Sequence, residues 1–146
     1  MVMTESDFRF KHSELIENYQ NIEMRLKFIC AEFIAKGDQD WFDRLDDYET
    51  DSLGQLIKNC KKKQQEKHIN VFDDDDFTKL EEIRKTRNYW AHQCFGGKNP
   101  IVFKNEMLKR NEYAEKIISD LDEARFWDNK LTEIGKKLRE LKTEEK

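Results

Sequence analysis

The string Arg87-Asn88-Tyr89-Trp90-Ala91-His92 brings a guanidinium, a carboxamide and an imidazole into a segment that otherwise reads as an amphipathic helix. Leu80, Ile83, Trp90 and Cys94 recur at helical spacing, and Arg87 fills the slot between Ile83 and Trp90, in the middle of the apolar stripe. A charge left alone there costs several kcal/mol. Arg87 must therefore meet a carboxylate from a neighbouring helix, an interface or a bound anion. The residue types suit proton transfer and phosphate chemistry: imidazole exchanges a proton near neutrality, and guanidinium is a planar fork matched to phosphate oxygens. Asn88 and His92 stand one helical turn apart on an adjacent face, which Phe77, Glu81, Arg84 and Phe95 extend. On a regular helix Arg87 and His92 are about 140° apart around the axis. They then converge on one substrate only if the arginine arm bends or a second subunit contributes, which hints at a dimer.

The elements that must hold these residues are helical. Leu15, Tyr19, Ile22, Leu26, Ile29 and Phe33 alternate steps of four and three, which predicts a one-sided helix from about Ser6 to Ala35, ended by Gly37. The stretch DQDWFDRLDDY is a short amphipathic segment whose Trp41, Phe42 and Leu45 are expected to cover one end of the core. Thr50 or Asp51 is expected to cap a helix through SLGQLIKNCKKKQQ, with Leu53, Leu56, Ile57 and Cys60 on one face. KHINVF reads as a connector. The run Asp73 to Asp76 then precedes the helix that carries Arg87, and carboxylates at a helix N-terminus suit its free N–H groups, so one of them is the expected cap. From Phe103 to Thr143, near-heptad apolar spacing predicts a helix about 60 Å long if unbroken, with Gly135 as a candidate break. The expected fold is all-α, an up-and-down bundle of four to five helices with a long C-terminal helix, in one domain spanning residues 1–146.

Composition supports this reading. Charged residues reach 40%, but ten Phe, four Tyr and three Trp supply the apolar bulk of a core, so the chain should fold. Five Gly and one Pro are few for an all-β chain. Cys30, Cys60 and Cys94 are odd in number and form no C-x-x-C pair, which suggests neither a disulfide framework nor a zinc site and fits a reducing, cytoplasmic setting. No apolar run approaches a membrane span, and MVMTESDFRF lacks the layout of a signal peptide. A net charge of -4 argues against a duplex-DNA binder coated in positive charge and leaves RNA open.

With its helical setting and the long helix expected after it, R-N-x-x-x-H at Arg87 to His92 resembles the signature of HEPN domains, a helical superfamily that includes many metal-independent RNA endonucleases. The SLGQLI stretch, Ser52 to Ile57, is also similar to the second-helix start of several members. The resemblance implies an endoribonuclease in which Arg87 and His92 form the active centre and Asn88 is their polar helper. His92 would move the protons of the 2′-hydroxyl and the departing 5′-oxygen, Arg87 would stabilise the pentacovalent phosphate, and Asn88 would orient His92. It further implies a 2′,3′-cyclic phosphate product, no metal or other cofactor, and a homodimer whose two motifs face one cleft. The biological setting it implies is a toxin or antiviral defence system, with an antitoxin or nucleotidyltransferase as partner protein. One departure matters. In the branch paired with nucleotidyltransferase antitoxins the signature continues as H-x-Y, whereas here Gln93 and Cys94 follow His92, which puts that silencing route in doubt.

Substrate-binding candidates are Arg84, on the face of Asn88 and His92, and Lys61, Lys62 and Lys63, which with Lys58 and Lys67 would lead an RNA backbone by sequence-independent attraction. A solvated helix face explains the lysines as well. The competing readings are a non-catalytic helical module that uses the same seam to bind RNA, nucleotide or a protein partner, and a structural bundle in which Arg87 is paired to an acidic neighbour. His12 and His68 have no supporting pattern and read as structural or exposed.

Overall fold

The computed structural model describes residues 3–144. The fold is all-α, with five α-helices among the described residues and one small hairpin. In chain order they are α1 (Glu5–Ile34), α2 (Asp38–Asp46), α3 (Leu53–Lys67), α4 (Asp74–Asn88), β1 (Phe103–Lys104), β2 (Met107–Leu108) and α5 (Asn111–Glu144).

Helix α1 is the central element, because its stripe from Phe8 and Leu15 to Phe33 is buried against the stripe of α5 from Ala114 to Leu138. Helix α3 lies on α1 through Leu53, Leu56, Ile57 and Cys60. There the free thiols of Cys30 and Cys60 meet at 3.3 Å, and that contact together with burial holds the Cys60 thiol well above its ordinary range. Gln64 ties the connector by receiving the N–H groups of Val71 and Phe72 and donating to the Phe72 carbonyl.

Several boundaries move from where periodicity puts them. Helix α1 ends at Ile34, and Gly37, at φ 134°, is instead the entry to α2. No residue of α2 is buried; Trp41 packs on Phe28 and donates to its carbonyl, while Phe42 stays exposed. The cap of α3 is Ser52, in a reciprocal box with Gln55, and neither Thr50 nor Asp51. The Asp run does supply a cap: Asp73 and Asp76 exchange side-chain and backbone bonds in the same box geometry. The C-terminal helix begins only at Asn111, since the segment before it turns back as β1 and β2, with Asn105 and Glu106 at positive φ. It then runs unbroken through Gly135, where an added Cβ would meet Ile29 at an ordinary 3.8 Å. At 1.5 Å per residue it is about 51 Å long. The hairpin is bound to the start of α1, where Glu5 N–H donates to Glu106 O and Leu108 N–H to Met3 O.

Candidate functional site at the end of α4

Helix α4 reaches the motif through buried Phe77, Leu80 and Ile83 and then widens. Tyr89–Gln93 form a π-turn in which Cys94 N–H reaches back five residues to Tyr89 O at 3.0 Å. Such turns cluster at functional sites because they re-aim side chains without breaking a helix. Each residue in the wide turn advances less than the α-helical 100°, so His92 lies closer to the Arg87 side than regular periodicity predicts.

Trp90 anchors the turn. Its ring is fully buried against Phe8, and its indole N–H donates to Asp120 Oδ2 on α5 at 2.7 Å; Asp120 also faces Lys116 at 3.5 Å. The second anchor is His12 of α1, which sequence reading left without a role. Its Nε2 lies 2.8 Å from Trp90 O, and its ring packs on Trp90 and Phe95. A carbonyl only accepts, so Nε2 carries the hydrogen. The signal for His12 was present: Phe8, His12, Leu15 and Tyr19 follow steps of four, three and four, so His12 interrupts the apolar stripe of α1 much as Arg87 interrupts that of α4. Beyond the turn Gly97 is required, because a Cβ there would sit 2.7 Å from Gln93 O.

Arg87 is one-third exposed and loosely held. Its Nη2 is 3.9 Å from Glu23 Oε2 on α1, and its Nη1 donates to Asn88 Oδ1 at 3.4 Å. The seam charge thus meets a carboxylate, as one reading required, but at a distance and exposure that leave the pair weak. Asn88 pairs with Arg87 and makes no bond to His92, contrary to the orienting role expected of it. His92 is exposed and, among the described residues, makes no side-chain hydrogen bond. Arg84 lies across Gly54, whose missing side chain leaves the room it occupies, and its Nε donates to Glu81 at 2.9 Å. Arg84 and Arg87 are thereby brought to the same end of α4, beside the start of α3.

The lysines are not brought there. Lys61 lies over Phe77, ten residues before Arg87 and about 15 Å away along α4. Lys62 and Lys63 both face Glu66, at 3.8 and 3.2 Å, which offsets part of their charge. Cys94 is buried, and burial pushes its thiol up, only partly offset by backbone hydrogen bonds and by Arg9. The thiol donates to Trp90 O at 3.2 Å, and the His12 nitrogen 3.7 Å away bears a hydrogen, so this Cys–His pair lacks a base. Burial likewise raises the Tyr89 phenol, with smaller contributions from Tyr113, Cys94 and Asp120. Among the described residues no three His, Cys, Asp or Glu side chains gather as they would around a metal ion, and no helix is long and apolar enough to cross a membrane.

Comparison with family models, curated proteins and solved structures finds no match to this chain. The resemblance of R-N-x-x-x-H to the HEPN signature therefore rests on the sequence alone. The site is chemically apt: an arginine just before the turn and an imidazole within it, neither committed to a strong partner, stand on a segment that is itself fastened on two sides.

Proposed function

We propose that this chain is a metal-independent endoribonuclease of the HEPN type, acting as a toxin or in defence against invading nucleic acid. The observation that carries the reading is the pairing of an arginine in an apolar seam, held only at 3.9 Å by Glu23, with an unbonded His92 on the adjoining π-turn. Structural charges in a seam are normally satisfied at contact distance. Arg87 has the reach and exposure to exchange Glu23 for a phosphate, with Asn88 following it.

In the proposed reaction His92 takes the proton of the 2′-hydroxyl, whose oxygen attacks the adjacent phosphorus while the bond to the 5′-oxygen breaks. A second imidazole, that of His92 in a second copy, returns a proton to the leaving 5′-oxygen, giving a 2′,3′-cyclic phosphate and a 5′-hydroxyl. Arg87 binds the non-bridging oxygens as negative charge builds on them. A homodimer with the α4 ends facing one another supplies both imidazoles, and Arg84 extends the positive edge of that cleft. An antitoxin or nucleotidyltransferase would be the protein partner, acting without the missing H-x-Y tyrosine.

The test is cleavage of total cellular RNA in the presence of chelator by the parent, Arg87→Ala and His92→Ala proteins, all checked for unchanged helical content. Cleavage by the parent alone, with cyclic phosphate ends, supports the proposal; equal cleavage by His92→Ala overturns it. A second reading is favoured by Glu23: a structural bundle in which Arg87 and Glu23 form an ion pair. On that reading Glu23→Ala and Arg87→Ala destabilise the fold equally and His92→Ala changes nothing.

A further inference from the structure

The π-turn leaves the Trp90 carbonyl without its helical donor. In a continuous α-helix Cys94 N–H would bind Trp90 O; here it binds Tyr89 O, and Trp90 O is released. A carbonyl released beside a fully buried indole must find another donor. It finds two, His12 Nε2 at 2.8 Å and the Cys94 thiol at 3.2 Å, of which the imidazole is the stronger.

We propose that His12 is a positioning residue that selects the wide register of the turn and so sets where His92 points. His12 reaches across from α1 at a site fixed by its neighbours. Phe8 one turn before it packs on Trp90, Phe95 and Phe103, and the His12 ring itself stands 5.2 Å from Phe95. The geometry makes the two hydrogen-bond registers alternatives. With no imidazole at position 12 only the weak thiol donor remains, so Trp90 O regains Cys94 N–H, the turn tightens to the α register, and His92 swings back toward its position about 140° from Arg87. The backbone half of this inference stands without the ribonuclease reading; its consequence for catalysis rests on that reading.

Through-hydrogen-bond couplings between the Cys94 amide nitrogen and its acceptor carbonyl, measured by NMR on isotopically labelled protein, report the register directly. The parent is expected to couple Cys94 to Tyr89. In His12→Phe, which keeps an aromatic ring but offers no donor, that coupling should vanish or pass to Trp90; in His12→Gln, whose amide donates, it should return. A Cys94–Tyr89 coupling that persists unchanged in His12→Phe overturns the proposal, as does its absence from the parent. Should His12→Phe fail to fold, His12→Ala is read in the same way. On RNA, His12→Phe should lower kcat at least tenfold with little change in KM, and His12→Gln should recover most of it. If the parent cleaves no RNA, the couplings still decide the role of His12, and the failure belongs to the ribonuclease reading.

Discussion

The two ends of α4 treat their charges in opposite ways. At its start Asp76 is almost wholly buried, completes the cap with Asp73, and meets Lys130 of α5 at 2.6 Å. At its end Arg87 is one-third exposed, meets Glu23 only at 3.9 Å, and is followed by a turn that departs from α geometry. Both residues carry charge on a face that packs against other helices, yet only the first is saturated with partners. Where a buried charge has a cap, a cation and a short contact, fold stability explains it. Where the contact is long and the helix widens beside it, stability explains the anchors, Trp90 and His12, and leaves the arginine available for something else.

The largest effect should come from the anchor and not from the charges. Trp90→Ala empties a fully buried ring and leaves Asp120 without its indole donor, which should cost about 3 to 5 kcal/mol in urea unfolding. Asp76→Ala removes half of the capping box and strands Lys130, which at 36% exposure recovers part of its hydration. The expected loss is about 1 to 3 kcal/mol. Arg87→Ala should cost only ~0–1 kcal/mol while abolishing RNA cleavage. An Arg87→Ala loss equal to that of Asp76→Ala would erase the contrast and make Arg87 a structural charge.

The smallest expected effect is that of pH on the core around neutrality. Burial raises the phenols of Tyr19 and Tyr48, that of Tyr48 to about 12, with Asp120 and Glu123 adding at Tyr19 and Cys30 and Asp47 at Tyr48. An acid whose folded pKa lies above its unfolded value favours the fold while protonated. Its contribution is thus full below pH 10, the unfolded value, and falls as pH rises toward 12. These tyrosines contribute no slope around neutrality and weaken the fold above pH 10. A urea midpoint unchanged up to pH 11 would contradict their burial, whereas a cleavage profile that bends near neutrality could not be ascribed to them.

Much of the architecture was legible because burial imposes period. The stripes of α1, α3 and α4 emerged in their correct places, and the Asp run announced the start of α4. The errors fell where local chemistry competes. Phe103 and Met107 matched the long apolar repeat but belong to a hairpin, because hydrophobic spacing does not record the positive-φ residues Asn105 and Glu106 between them. Gly135 looked like a break and is an ordinary helical position, held by the packing of α5 on α1. Ser52 outcompeted Thr50 and Asp51 for the cap because Gln55 stands three residues on and closes the box.

The site divided in the same manner. Residue type and spacing alone marked Arg87 as misplaced in its stripe and set Asn88 and His92 beside it, since a charge at an apolar position is visible in one dimension. Tertiary structure decided the rest: that Glu23 stands opposite Arg87 without closing on it, that Lys61 to Lys63 lie at the far end of α4, and that Asn88 serves Arg87 in place of His92. It also decided the π-turn, whose released carbonyl meets its stronger donor from 78 residues away in the chain. Periodicity describes one helix at a time, and a hydrogen-bond register chosen by another helix lies outside what it can express.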